Sequence, residues 1–344
     1  VGLRWHYVSE RYYNAIQEYS ASTFQGKIIL IYGDNRGQDS RAIWNTVAPG
    51  CVTYQSIPCP DHLLMIDANY CEEWAQNRPR FLASSQIDDC IARGRGILDG
   101  GARYEDYGST PLGIPNAGDA LYALQQAIFV ERFVTPEELL AALEADFAGY
   151  EPLRRRLLAL PKFGQGHTAA DHMTDRVTDS ACDAYDRFTN RHGGRVKPMI
   201  MTFRMASVTG RALGATPDGR QARTPITQGL TPQSHAMTHG LSTAILSANS
   251  LDLERFSGGA ATMWDLDPSL AKVDRVRQIL AAFAATGGQM FQGNVTDVAE
   301  LRHAQEDPEK YANLLVRVGG FSARFVALSQ GEQDDVIARY RHTH

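Results

Sequence analysis

RVGGFSARF, residues 317–325, sets two glycines between Val318 and Phe321 in a stretch whose other residues favour an extended strand. Glycine inside a strand costs backbone entropy and offers no side chain to pack. A pair kept there must use the one thing glycine has, the absence of a Cβ. The plainest such use is a bulge or tight bend. The surroundings extend the pattern: YANLLVRVGGFSARFVAL (311–328) reads as mostly extended, and GEQDDVIARYRH (331–342) as a closing helix.

Working back along the chain, VAELRHAQ (298–305) has helical spacing and QMFQGNV (289–295) is apolar and strand-like. SLAKVDRVRQILAAFAATGG (269–288) is a long amphipathic helix with a Gly-Gly stop. TPDGR (216–220) is a turn, because Pro217 sets φ and Gly219 supplies a positive one. TPEELLAALEADF (135–147) opens with a capping threonine, a proline and two glutamates, all favoured at a helix start. NAGDALYALQQAIFVERF (116–133), with Asn116 as N-cap, and SSQIDDCIARGRGIL (84–98) read as further helices. Residues 1–80 are harder to organise, with a helix over RYYNAIQEY (11–19) and a buried strand over GKIILIYGD (26–34). Helices alternate with strands, which predicts an α/β architecture. No internal repeat or low-complexity tract interrupts it.

Composition narrows the function. The 344 residues suffice for a large domain or two lobes, and 43% apolar with 21% charged residues is ordinary for a soluble globular chain. The net charge of −5 comes with no basic patch, which argues against a nucleic-acid partner. No apolar run approaches the ~18–20 residues of a membrane span, and no signal peptide opens the chain. Cys51, Cys59, Cys71, Cys90 and Cys182 form an odd set without CxxC spacing. That fits a reducing cytoplasm better than a disulfide framework or a zinc site. The chain starts at Val1, which leads straight into charged helical sequence, so a fragment with its natural start upstream is expected.

The segment VRVGGFSARFVALSQGEQDDVIARYRH resembles the C-terminal signature of the glycyl radical enzymes, the pyruvate formate-lyase-like family. That signature runs Arg-Val, a small residue, Gly, an aromatic residue, Ser-Ala, any residue, Phe. Arg317, Val318, Gly319, Gly320, Phe321, Ser322, Ala323 and Phe325 fill it position by position, and Gly320 falls on the radical-bearing glycine. PEKYANLLVRV (308–318), GATPDGR (214–220), DDCIARG, GGARYEDYG and GIPNAGDALYAL (113–124) resemble other conserved blocks of the family. The resemblance runs from about Phe81 to the end. It implies a C-terminal part of a pyruvate formate-lyase-like domain over residues 1–213, poorly matched over 1–80, then a glycine-radical domain over 214–344. The implied fold is part of a ten-stranded α/β barrel of two half-barrels with a buried glycyl radical loop.

The chemistry explains the glycine. A radical on an α-carbon is stabilised by the flanking amide nitrogen and carbonyl together if the centre can flatten, and a Cβ would crowd that arrangement. Val318, Phe321 and Phe325 are the apolar neighbours expected to bury the loop away from water and oxygen. The resemblance further implies a radical-SAM activating enzyme as partner, a small-molecule substrate and a homodimer. No dissociable cofactor is implied, since the backbone itself stores the radical on Gly320. The setting would be the cytoplasm or a bacterial microcompartment.

In the family the stored radical passes to a cysteine, which becomes a thiyl and takes hydrogen from substrate. The nearest match is Cys51 in APGCVTYQS, 269 residues before Gly320 and closer than the family's usual separation. The competing expectations are a cysteine upstream of Val1 and Cys51 as a small buried hydrophobe. Cys59 in SIPCPDH is a weaker candidate still, and Cys90 reads as core packing. His235 and His239 have the i,i+4 spacing of helical metal ligands but no neighbouring carboxylate in sequence. His167 and His172 read as loop or surface residues. Asp88-Asp89 reads as an early-helix charge pair. Arg103 and Arg220 fit either a carboxylate substrate or a structural ion pair.

The leading expectation is therefore a glycyl radical lyase or transferase, truncated or unusually compact. GGQMFQGN (287–294) departs from the isoleucine-rich form associated with diol dehydratases, which tilts the reading slightly away from them. The rival expectation is a radical donor that supplies a fresh glycyl loop to a damaged partner chain without a catalytic cysteine of its own. The chain is longer than such a donor needs.

Overall fold

The structure, a computed structural model, describes residues 28–33, 52–57 and 80–339, apart from 188, 191, 203, 204, 267 and 270. The chain divides into two compact units, Val1–Ile66 and Asp67–His344. In the first, β1 (Ile28–Gly33) pairs in parallel with β2 (Val52–Ile57), with Ile28 opposite Val52 and Gly33 opposite Ile57. β1 falls inside the strand expected over 26–34, and β2 begins one residue after Cys51. The helix expected over 11–19 lies outside the described residues.

The second unit is built on short parallel strands met in chain order. β3 (Tyr107–Ser109) pairs with β4 (Val196–Pro198), and β5 (Ala261–Met263) pairs with β6 (Met290–Gln292), both in parallel. Parallel bridges at Ile200–Ala260 and Leu266–Val295 carry the pairing beyond the strand ends, so that β4 runs on toward β5. Parallel neighbours need crossover connections, and helices supply them. Between β3 and β4 run α3 (Ile114–Leu124), α4 (Pro136–Glu144), α5 (Glu151–Ala159) and the 19-residue α6 (Thr168–Asp186). Between β4 and β5 lie α7 (Met205–Ala212) and α8 (Leu241–Asn249), and α9 (Val273–Ala285) joins β5 to β6. The main core gathers Phe163, Ile200, Leu230, Phe256, Trp264 and Phe283. Burying each such side chain is worth roughly 1.5–3 kcal/mol.

The last strands differ in kind. After β6 come α10 (Val298–Glu306) and an antiparallel hairpin of β7 (Leu315–Arg317) and β8 (Ser322–Arg324), then α11 (Gln330–Arg339). Leu301, Ala304, Val316, Val318, Phe325, Val336 and Ile337 form a separate core that seats the hairpin on α10 and α11. The α/β class is borne out.

Several local expectations change. The helix expected over 84–98 is broken into α1 (Phe81–Ser84) and α2 (Cys90–Arg93), because Asp89 takes φ +74° and Gly94 closes α2 at φ +62°. Asn116 is not the cap of α3: Gly113 occupies that place and Asn116 is buried inside, where its Oδ1 accepts from the Thr227 N–H at 2.8 Å. α3 also passes into a π-helical turn at Gln125–Val130 rather than running on to 133. α9 starts at Val273, four residues later than its pattern suggested. The cap at Thr135 is as expected, its side chain accepting from the Glu138 N–H at 3.1 Å.

Candidate functional site

β6 carries alternating residues to alternate faces, so Gln292 and Asn294, two apart, share one side. Gly293 between them lies where a Cβ would meet the Trp264 carbonyl at 2.3 Å, which lets β6 and its continuation lie close against the backbone after β5. The Trp264 N–H donates to the Gln292 carbonyl at 2.7 Å, and Leu266 N–H to the Asn294 carbonyl at 2.8 Å. The two amide side chains are thus held from beneath by main-chain bonds. Both reach the β7–β8 hairpin.

Asn294 Nδ2 donates to the Arg317 carbonyl at 2.9 Å, and Asn294 Oδ1 accepts from the Arg317 N–H. Asp265 Oδ1 accepts from the Asn294 N–H at 2.9 Å and from Nδ2 at 3.1 Å, fixing the amide's orientation. One turn along the hairpin, the Gly320 N–H donates to Gln292 Oε1 at 3.1 Å. Gly320 sits at φ +70°, a conformation that disfavours any residue with a Cβ. The hairpin closes through the Val318 N–H, which donates to the Phe321 carbonyl at 3.0 Å. At its far end the buried Gln333 donates to the carbonyls of Phe325 and Leu328 at 3.1 and 3.2 Å. Gly320 is thus held through its own N–H by Gln292, while Asn294 and Gln333 fix the backbone on either side of the hairpin.

Burial of this loop is divided. Val318 and Phe325 are sealed in the core, as expected, whereas Phe321 is 45% exposed and Gly320 lies open at the surface of the described residues. Leu315, Met290 and Val295 are further exposed apolar residues of this hairpin and of β6 with its continuation. The expected shelter around Gly320 is therefore supplied on the core side alone.

The other candidates resolve individually. Cys51 and Cys59 lie outside the described residues. Cys90 is buried, as core packing required, and Cys182 is a buried thiol on α6 that burial pushes up to about 12. His235 sits in a short 3-10 turn (Ser234–Ala236) and His239 beyond it, so they are not on a shared α-helix. Among the described residues no group of His, Cys, Asp and Glu could hold a metal ion. His167 caps α6, accepting from the Ala170 N–H at 3.4 Å, and His172 lies within that helix. Arg103 pairs with Asp89 at 3.0 Å and Asp88 at 3.8 Å. Arg220 is buried and spends its guanidinium on the carbonyls of Gly214, Gln221 and Thr224. Both arginines are structural in this arrangement.

Sequence reading missed Gln292 and Asn294. The available signal was two amides at i and i+2 around a glycine, in a strand with apolar residues otherwise.

Comparison with known proteins identifies the frame around the loop. A family model described as Pyruvate formate lyase-like matches residues 62–210, and one described as Glycine radical matches 226–326, which includes the hairpin. The chain belongs to the glycyl radical enzyme family. It is 32% identical over 282 residues to the Escherichia coli protein named "Probable dehydratase YbiW", covering 78% of this chain and 35% of that protein. It is 30% identical over 277 residues to trans-4-hydroxy-L-proline dehydratase of Clostridioides difficile, with the same coverages. Among solved structures, the glycerol-bound B12-independent glycerol dehydratase of Clostridium butyricum superposes with a TM-score of 0.78 at 32% identity, over 81% of this chain and 36% of that one. The chain thus spans about a third of the length of these relatives. Its α/β framework is that of the pyruvate formate-lyase-like barrel.

Proposed function

We propose that this chain is the C-terminal portion of a glycyl radical lyase or transferase, with the radical on Gly320 and a domain boundary near 213/214. The observation that carries the reading is the hairpin itself: a signature glycine at φ +70° whose N–H is held by an amide and whose flanks are locked into a core. A radical-SAM activating enzyme takes one hydrogen atom from the Gly320 Cα. The resulting radical then accepts a hydrogen atom from a cysteine S–H, restoring Cα–H and leaving a thiyl. The thiyl takes hydrogen from a C–H bond of a small organic substrate, the substrate radical breaks its C–C or C–X bond, and the product radical takes the hydrogen back. Cys51 is the thiyl candidate within this chain.

Relatives named as dehydratases and as isethionate sulfite-lyases support C–X cleavage as the reaction class. Similarity beginning at residue 62, far ahead of the glycine hairpin, supports an enzyme over a separate radical donor. A homodimer in a reducing compartment completes the proposal. Among the described residues no helix is long and apolar enough to cross a membrane.

The test is anaerobic activation of the full-length protein that contains this chain, followed by EPR. A doublet that disappears in Gly320→Ala is the expected result, and air exposure should then cleave the activated chain at Gly320. Absence of any doublet under competent activation refutes the proposal. A doublet with turnover that survives Cys51→Ala would move the thiyl to another cysteine, and a doublet with no turnover would favour the donor reading.

A further inference from the structure

We infer that Gln292 is a positioning residue for the glycyl radical, holding the Gly320 N–H so that the amide nitrogen can share the unpaired electron. The inference rests on the assignment of the radical to Gly320. The contact is direct: Gly320 N–H donates at 3.1 Å, and the facing atom must be Oε1 because a donor cannot face the NH2 end of the amide.

Three features set this residue apart from an ordinary strand glutamine. First, its other terminal atom, Nε2, is buried and without a hydrogen-bond partner among the described residues. Such an orphan lowers stability, so an apolar residue would serve a purely structural strand better. Second, its base is rigid. Its carbonyl accepts from Trp264, it stands opposite Met263 in the β5–β6 register, and Gly293 beyond it admits no Cβ. A group that positions another to within a fraction of an ångström needs that kind of support. Third, the division of labour with Asn294 is clean: Asn294 grips Arg317 on both its N–H and its carbonyl, which already fixes the hairpin. Gln292 adds a single bond, and it falls on the signature glycine.

The chemistry gives that bond a purpose. When a hydrogen atom leaves the Gly320 Cα, the N–H stays in place and the nitrogen lone pair donates into the half-filled α-orbital. An acceptor on the N–H draws its proton outward and leaves the nitrogen more electron-rich, which strengthens that donation. It also limits rotation about N–Cα and so keeps the flattened centre aligned with the peptide plane.

Two variants test this in the full-length protein. Gln292→Met fills the space without an acceptor, and Gln292→Asn keeps the amide but withdraws its oxygen by one methylene. In the unactivated protein, amide hydrogen exchange at Gly320 should speed up about fivefold to tenfold in both, the range expected for one lost hydrogen bond, with Val316 and Val318 unchanged. After activation, the EPR doublet should decay several-fold faster than wild type, and its linewidth should respond differently to D2O because the amide proton has changed environment. If either folded variant keeps wild-type exchange at Gly320 and wild-type decay, the inference is overturned. Should wild type give no doublet at all, the radical assignment fails, while the exchange experiment still reports whether Gln292 holds the amide.

Discussion

Around Gly320 the side chains that reach the backbone are neutral amides, Gln292 and Asn294, and the loop they hold is open on one side. Around Phe163 the arrangement is the reverse. Asp119 and Asp218, both almost fully buried, face one another across Gln233, whose Nε2 donates at 2.7 Å to Oδ2 of each. Asp119 Oδ1 also accepts from the Phe163 N–H at 2.7 Å, and Thr216 donates to Asp218. Lys162, also buried, donates to the carbonyls of Leu157 and Leu160 at 2.7 and 2.9 Å. One region keeps formal charge off the side chains that touch the proposed radical loop. The other concentrates charge where α3, the α5–α6 connection and the TPDGR turn must be tied together. Amides set geometry without a field, whereas carboxylates tie elements firmly and bring a dependence on pH.

Breaking the charged region should cost most. Gln233→Leu leaves two buried carboxylate oxygens without their shared donor, and a loss of about 3 kcal/mol or more is expected from a urea melt. A loss under about 1 kcal/mol would mean that water or a rearranged Lys162 replaces the amide. Asn294→Ala, in the neutral region, should cost about 2 kcal/mol, since the Arg317 backbone loses both its bonds while the apolar seat of Val316, Val318 and Phe325 remains. Hydrogen exchange should place that loss in residues 315–325, and a spread over the whole chain would argue against a local grip.

The pH dependence sharpens the same contrast. Burial, and then the charge of Asp218, push Asp119 up to about 7 from the ordinary carboxylate value near 3.8. A carboxyl raised in the folded state contributes stability that is complete below the unfolded value and is lost as pH climbs through the folded one. Stability should therefore decline between about pH 4 and 7 from this group, and Asp119→Asn should flatten that decline whatever it does to the midpoint. Urea midpoints at pH 5 and pH 8 measure the slope. An unchanged slope in the variant would show that Asp119 is ionised throughout. No such slope is expected from Gln292 or Asn294, which do not titrate.

The two regions were unequally legible in the sequence. Gly319-Gly320 marked a break in an extended stretch because strand glycines are costly, though not the antiparallel hairpin it forms, and TPDGR announced its turn, closed by the Thr216 N–H donating to the Arg220 carbonyl at 2.9 Å. α6 was missed because its core-facing stripe is thin, Ala170, Met173, Val177, Ala181 and Cys182, and is interleaved with the buried threonines Thr174 and Thr178. Thr178 satisfies its hydroxyl on the Thr174 carbonyl, at 3.0 Å, which allows a threonine to be buried mid-helix. β3 and β4 are three residues each, too short for any alternation to register. Asp119, Gln233 and Gln292 could not be singled out, since their partners lie between 15 and 114 residues away.

The smallest effect is expected where sequence reading held two uses open for one residue type. Arg103 is half exposed and pairs with Asp88 and Asp89, themselves reached by water. Asp89 also pairs with Arg93 at 3.3 Å, so removing Arg103 leaves it a cation. Surface pairs of this kind gain little because water screens them and long side chains lose freedom in forming them. Arg103→Gln should leave the melting temperature unchanged within error at physiological salt. Arg220→Gln should lower it by several degrees, because the carbonyls of Gly214, Gln221 and Thr224 lose a buried donor that no solvent replaces. Equal effects of the two substitutions would mean that the turn at 216–220 opens to water, which would also release Asp218 from the buried pair. The arginines thus test whether the charged region is sealed, a condition that the Asp119 titration requires.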